Sequence, residues 1–291
     1  MTTVRAPATS ANLGSGFDVF GVALDRPADV VRVERAAETT IEVTGTGASF
    51  IPEDPADNTA GVVARELDAP AHIRIDKGVR PSSGLGSSAA SAAGAAVALA
   101  DLYDLEYSRR ELVRVAAEGE AAVSGDAHAD NVAPAILGGF TVVRDDGIEH
   151  VDADLALVVC LPDLVVSTRD ARGVVPESAA IEDVVDTVGS AATLAIGMCR
   201  SDPVRVGRGL EEHLVTPARA DLIEGYHDAC EAAREAGATG VTVSGAGPAV
   251  LAVCRDRDQR RVASALVDGF DDADVEATAY RSRVGDGARV L

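Results

Sequence analysis

Between Arg80 and Asp101 the chain reads R-P-S-S-G-L-G-S-S-A-A-S-A-A-G-A-A-V-A-L-A-D, a glycine and serine loop that empties into a helix of small residues. Such a junction reads as a phosphate-binding loop. Gly84 and Gly86 let backbone amides come close to a ligand, and Ser87 or Ser88 is a good helix N-cap. The unpaired amides of the first turn, at the positive end of the helix dipole, can then hold an anion. A serine hydroxyl there can also ligate Mg²⁺. No Gly-Lys-Ser/Thr follows, so this is not a Walker loop, and Gly84, Gly86 and Gly94 do not fit G-x-G-x-x-G. On the loop alone, the alternative is a buried alanine-rich helix after an ordinary turn.

The 291 residues, 47% of them hydrophobic, can hold two modest domains or one large one with a full core. Against 47 acidic residues stand 26 basic ones, giving a net charge of −21, and Lys77 is the only lysine. So acidic a chain repels nucleic acid and anionic membranes. Its lysine-poor, acidic surface suits a high-salt cytoplasm, where screening removes the self-repulsion, although a solvated acidic face would have the same composition. Cys160, Cys199, Cys230 and Cys254 show no C-x-x-C pairing, and most lie in apolar runs, which predicts core thiols in a reducing compartment. With no cleavable signal and no apolar run of about 18 residues, the expected location is the cytoplasm.

The opening segment predicts a strand, a small-residue loop from Thr9 to Gly16 and a second strand to Leu24. Asn12 and Asp18 are the polar heads of this region, functional groups on one reading and Asx-turn residues on the other. V-V-R-V and T-I-E-V-T-G, between Val30 and Val43, alternate as antiparallel strands, Ala60 to Leu67 is a short helix, and Ala71 to Lys77 is a strand that leads into the glycine loop. Ser108 and Glu111 form a capping box for a helix that carries Leu112, Val115, Ala116 and Val123 inward. Glu118 and Glu120 ride near its C-terminal end, against the dipole, as partners of a metal ion or as solvated acids. Asp126, His128, Asp130 and Asn131 then cluster between helix and strand, without the repeated spacing of a dedicated metal site. Gly147 turns a hairpin, and Val151 to Asp154 is the seam between domains 1–152 and 153–291. In the second half, a buried strand L-A-L-V-V-C precedes Ser167, Thr168, Arg169 and Arg172, and helices follow around Ser178 to Met198, Pro203 to Leu214 and up to Ala236. G-V-T-V-S-G-A-G-P-A-V-L-A-V-C is a hairpin with a Gly-rich tip from Ser244 to Pro248, and a helix and a strand close the chain. The class is α+β.

P-A-T-S-A-N-L-G-S-G-F-D, S-G-L-G-S-S-A-A and V-S-G-A-G-P, in that order and spacing, resemble the three motifs of the GHMP kinases, the superfamily named after galactokinase, homoserine kinase, mevalonate kinase and phosphomevalonate kinase. The likeness spans nearly the whole chain. A-N-L-G-x-G-F-D, H-A-D-N-V-A-P-A and S-T-x-x-A-R are similar to the homoserine kinases in particular, and the acidic composition points to a halophilic archaeon. Ser15 stands where that family commonly has proline, and Pro81 lies one residue closer to Gly84 than usual, departures that touch loop geometry only.

The resemblance implies an N-terminal ATP-binding domain like domain 2 of ribosomal protein S5, with a left-handed β-α-β unit, and a ferredoxin-like C-terminal domain. It implies that ATP is wrapped by Arg80, Pro81, Ser82, Ser83, Gly84, Leu85, Gly86, Ser87, Ser88, Ala89 and Ala90, with Ser244, Gly245 and Gly247 supporting that loop. Ser87 or Ser88 would hold Mg²⁺ with Glu120. Asn12 and Asp18 would meet the hydroxyl of L-homoserine, His128, Asp130, Arg172 and Arg219 its amino and carboxylate ends, and Thr168 and Arg172 would join Asn12 and Asp18 in the chemistry. With one lysine, the triphosphate is left to Mg²⁺, helix amides and arginines. The implied reaction makes O-phospho-L-homoserine on the way to threonine, its alternatives being a mevalonate- or shikimate-type kinase and a non-catalytic sensor. The implied partner is a small molecule, and a homodimer is compatible with the sequence.

Overall fold

A computed structural model of the chain describes residues 1–125 and 129–291. Its first strand, β1 (Thr2–Ala11), stays extended two residues past the expected break at Thr9, and a single strand β2 (Phe20–Arg35) follows the loop. β2 runs antiparallel to β1. Its first residues pair with β5 (Phe140–Arg144) and its last with β4 (Ala71–Lys77). β3 (Thr40–Gly45) corrects the sequence reading, because it pairs with β4 and in parallel. The cause is α1 (Thr59–Glu66), capped by the Asn58 side chain, which carries the chain back to the starting end before β4 begins. The hairpin partner β6 (Gly147–Val151) and a C-terminal β11 (Arg289–Val290), which the sequence reading did not resolve, complete a sheet of seven strands among the described residues.

α2 (Ser87–Tyr103) covers this sheet and buries twelve of its seventeen residues. A Cβ on Gly94 would stand 2.5 Å from Val31 Cγ2 and 3.2 Å from the Ala6 Cβ, so small side chains are what let the helix lie so close to β1 and β2. α3 (Arg109–Ser124) opens with the expected capping box of Ser108 and Glu111 and buries Leu112 and Ala116, with Val115 half-buried. Val123 does not turn inward. It lies in the last turn of α3, 41% exposed, where the helix reaches the rim of a cleft. α4 (Ala129–Leu137) then leads to β5.

The second sheet is built from β7 (Ala156–Pro162), β8 (Ala238–Val243), β9 (Val250–Cys254) and β10 (Ala277–Arg283) in the order β10-β7-β9-β8, all antiparallel. Strand, helices, two strands, helix, strand is the split β-α-β arrangement of ferredoxin-like folds. Alternation along β7 and β9 gives the sheet two apolar faces. Ala156, Val158, Cys160, Ala252 and Cys254 pack on α9 (Tyr226–Glu235) and α10 (Gln259–Asp271). Leu157, Val159, Leu251 and Val253 join the core of the first sheet, together with Leu194 and Met198 of α6 (Ile181–Cys199) and Val206 of α7 (Pro203–Gly209). Two short helices, α5 (Thr168–Gly173) and α8 (Thr216–Ala220), complete this half. Cys160, Cys230 and Cys254 are buried thiols as expected, whereas Cys199, the last residue of α6, is exposed. No helix among the described residues is long and apolar enough to cross a membrane.

Candidate active site

Residues far apart in sequence close around a cavity of about 350 Å³ to which both halves of the chain contribute. On one wall lies the glycine loop. Gly86 is the N-cap of α2, at φ 62°, and Gly84 sits at φ 79°. A Cβ would collide with Thr9 Oγ1 at the first and with the Ser244 carbonyl at the second, so the backbone passes where a side chain cannot. The expected serine cap is absent. Ser87 Oγ donates instead to the Val79 carbonyl (2.8 Å) and Ser88 Oγ to Glu120 Oε2 (2.9 Å). Because no side chain caps α2, its first-turn amides are left for an anion.

The loop is held from three directions. Thr9 N donates to the Leu85 carbonyl and Ala249 N to the Ser83 carbonyl, each at 3.0 Å, and Ser244 Oγ donates to the Gly84 carbonyl at 2.8 Å. The hairpin tip between β8 and β9 thus braces the loop from the other half. Beneath it, Lys77 is buried with its ammonium on Asp29, on the Ser87 carbonyl (2.7 Å) and on Ser91 Oγ (2.8 Å). Three partners use its three protons. Burial pulls the Lys77 amine below its ordinary value, against the attraction of Asp29. Glu120 is 2% exposed on the same wall, and burial pushes its carboxyl up to about 7 although the Ser88 hydrogen bond and Lys77 favour the charge.

At the other end, Asn12 and Asp18 occupy the loop between β1 and β2 with positive φ, 70° and 57°, a region asparagine and aspartate tolerate best. The Asn12 amide spans the halves: Nδ2 donates to the Gly245 carbonyl and Oδ1 accepts from Asp18 N, both at 2.9 Å. Arg172 Nη1 donates to Asp18 Oδ2 at 2.6 Å. Arg219, 5% exposed, donates to the Ala171 and Gly245 carbonyls. Burial first, and the like charge of Arg172 second, lower its pKa, while a guanidinium stays charged in proteins. Both guanidinium groups lie over the Phe17 ring, at 5.4 Å for Arg172 and 5.0 Å for Arg219, so its π face helps two cations stand near each other.

Asn12, Asp18, Pro81, Ser82, Ser83, Gly84, Gly86, Ser87, Ser88, Glu120, Asp130, Thr168, Arg172, Arg219, Gly245 and Gly247 all line the cavity. Arg80 turns away to pair with Asp163 at 2.7 Å, Leu85, Ala89 and Ala90 are core, and Ser244 is buried behind the loop. His128, like Asp126, lies outside the described residues. Sequence reasoning missed Phe17 and Asn58, and named Asn131 in a cluster without giving it a role. Asn58 and Asn131 line the cavity, and Asn131 Oδ1 accepts from Thr9 Oγ1 at 3.0 Å. Only H-A-D-N gave any signal for Asn131, and none marked Asn58.

Residues 56–139 match the family model for the GHMP kinases N terminal domain and residues 194–272 that for the GHMP kinases C terminal. Homoserine kinase of Halobacterium salinarum is 74% identical over 291 residues, covering 100% of this chain and 97% of the relative. The chain belongs to the homoserine kinase family. The homoserine kinase of Halorubrum lacusprofundi is 69% identical, over 100% of this chain and 99% of its own length. Among solved structures, homoserine kinase from Cytophaga hutchinsonii superposes with a TM-score of 0.91 at 34% identity, covering 100% of this chain and 97% of that one. The two-domain α+β GHMP kinase fold and the halophilic affinity expected from the sequence are those of its relatives.

Proposed function

We propose that this chain transfers the γ-phosphoryl group of ATP to the side-chain hydroxyl of L-homoserine, giving ADP and O-phospho-L-homoserine in the direction of threonine. The observation that carries this reading is a single cleft with an uncapped, glycine-lined helix N-terminus at one end and two juxtaposed arginines at the other. The loop from Pro81 to Ser88 takes the triphosphate on backbone amides. Arg172 and Arg219 take the substrate carboxylate, which suits a planar, forked donor better than a point charge. Asp130, buried on the same cavity, is an acid for the ammonium end, and His128 is assigned there by family likeness alone.

Asn12 and Asp18 orient the acceptor hydroxyl, and Thr168 also lines the cavity. Phosphoryl transfer through a loose transition state asks mainly for positioning and charge stabilisation, which this arrangement of fixed amides and guanidinium groups provides. Ser88 and Glu120 fit Mg²⁺. They are hard oxygen donors 2.9 Å apart on the cavity wall, and the desolvated carboxyl is one whose charge a cation would favour. When bound, Mg²⁺ would offset charge on the phosphate oxygens. Ser87 is the weaker candidate because its hydroxyl is turned to Val79.

The test is homoserine-dependent ADP release in molar KCl, with the product identified as O-phospho-L-homoserine by phosphorus NMR. Binding of ATP and homoserine without ADP release would make the chain a sensor and overturn the proposal.

A further inference from the structure

Arg219 is carried by α8, five residues long and the only regular element among the described residues between α7 and α9. A single helical turn does not hold itself in place. Its N-cap, Val215, has no polar side chain, so the amides at the start of the turn must find partners elsewhere. They converge on one carboxylate. Glu212, 8% exposed, accepts through Oε2 from Leu214 N at 2.6 Å and Val215 N at 2.9 Å, and through Oε1 from Val215 N at 3.1 Å and from Thr216 N. Val215 relays this hold to the arginine, because its carbonyl accepts from the Arg219 backbone N–H at 3.1 Å.

Glu212 acts on Arg219 by charge as well. The carboxylates of Asp18, Asp130 and Glu212 favour the guanidinium charge against burial and against Arg172. Asp18 and Asp130 line the cavity, whereas Glu212 lies off its wall. A carboxylate inside the cavity competes with an anionic substrate for the arginine, and one behind the arginine does not. We propose that Glu212 is the positioning residue for Arg219, fixing the start of α8 and with it the place of the guanidinium group that holds the substrate carboxylate. The inference rests on Arg219 as a partner of that carboxylate. Off the cavity wall, Glu212 sets the affinity for homoserine rather than the rate of phosphoryl transfer.

Steady-state kinetics of Glu212→Gln in molar KCl, with L-homoserine, 3-aminopropan-1-ol and ATP varied in turn, reads this role. A glutamine sets an NH2 donor against backbone N–H donors and so gives up one of the two accepting oxygens. KM for homoserine should rise about tenfold while kcat and KM for ATP stay within about twofold of the parent. The kcat/KM for 3-aminopropan-1-ol, which has no carboxylate to place, should be unchanged. Glu212→Asp can still accept from the amides two and three residues on, as an N-cap does, and should raise KM only about threefold. It decides the question by the same split where the glutamine variant does not fold. In an Arg219→Ala background, Glu212→Gln should add nothing, since both changes act through one guanidinium group. An unchanged KM for homoserine in Glu212→Gln, where Arg219→Ala raises it, would overturn the proposal alone. An unchanged KM in Arg219→Ala would remove the carboxylate from Arg219 and take the proposal with it. A fall in kcat with both amino alcohols, or a loss that persists in the Arg219→Ala background, would make Glu212 a structural residue only and overturn the proposal as well.

Discussion

Burial holds the Glu120 carboxyl at about 7, above its ordinary 4.5, so ionising it penalises the ligand-free fold. The penalty is absent below about pH 4.5, where the group is protonated folded or unfolded, and it grows as pH rises through about 7. Glu120→Gln should therefore melt together with the parent at pH 4 and be more stable at pH 8 by on the order of 2–3 kcal/mol, in fixed molar KCl. The same variant should lose about 100-fold or more in turnover, since an amide is a poorer partner for a cation. Equal or lower stability at pH 8 would contradict the account of Glu120. For Asp18 the structure favours orientation over base catalysis, because Oδ2 already accepts from Arg172 and the backbone N–H is fixed by Asn12. Asp18→Asn should cost less than about 100-fold, shared between kcat and KM, whereas a larger loss confined to kcat would identify a base.

Between elements, the Lys77–Asp29 pair joins β4 and β2 to the first turn of α2, and Asp29 also accepts from the amides of Gly78 and Val79 at 3.0 Å. Lys77→Met leaves a carboxylate buried without its counter-charge, with an expected loss of about 3–5 kcal/mol in guanidinium unfolding. The double variant Lys77→Met/Asp29→Asn should recover part of it. No recovery would mean that the two side chains act independently. The sequence carried the glycine loop, α2, β4 and the capping box of α3 because each rests on local chemistry: apolar periodicity, capping side chains and left-handed glycines. What it did not carry depends on distant chain. β3 reads as a strand, but its direction is set by α1. Ser87 and Ser88 read as caps until Val79 and Glu120 are beside them. Phe17 becomes part of the site only when α5 and α8 bring two arginines over its ring.

For the molecule as a whole, 47 acidic against 26 basic residues must be screened for the compact state to persist. The melting temperature should rise as KCl goes from low to molar concentration, and a flat or falling curve would contradict this. On this acidic chain two arginines, Arg172 and Arg219, line the cavity, and the proposal that they hold the substrate carboxylate is the central claim. It is tested most directly by comparing kcat/KM for L-homoserine with that for 3-aminopropan-1-ol, the same amino alcohol without its carboxylate, alongside mevalonate and shikimate. A site built around Arg172 and Arg219 should favour homoserine over the decarboxylated analogue by about 10³-fold, because only homoserine brings a carboxylate for the two guanidinium groups to bond. Equal turnover of the two amino alcohols, or faster turnover of mevalonate or shikimate, would contradict the account.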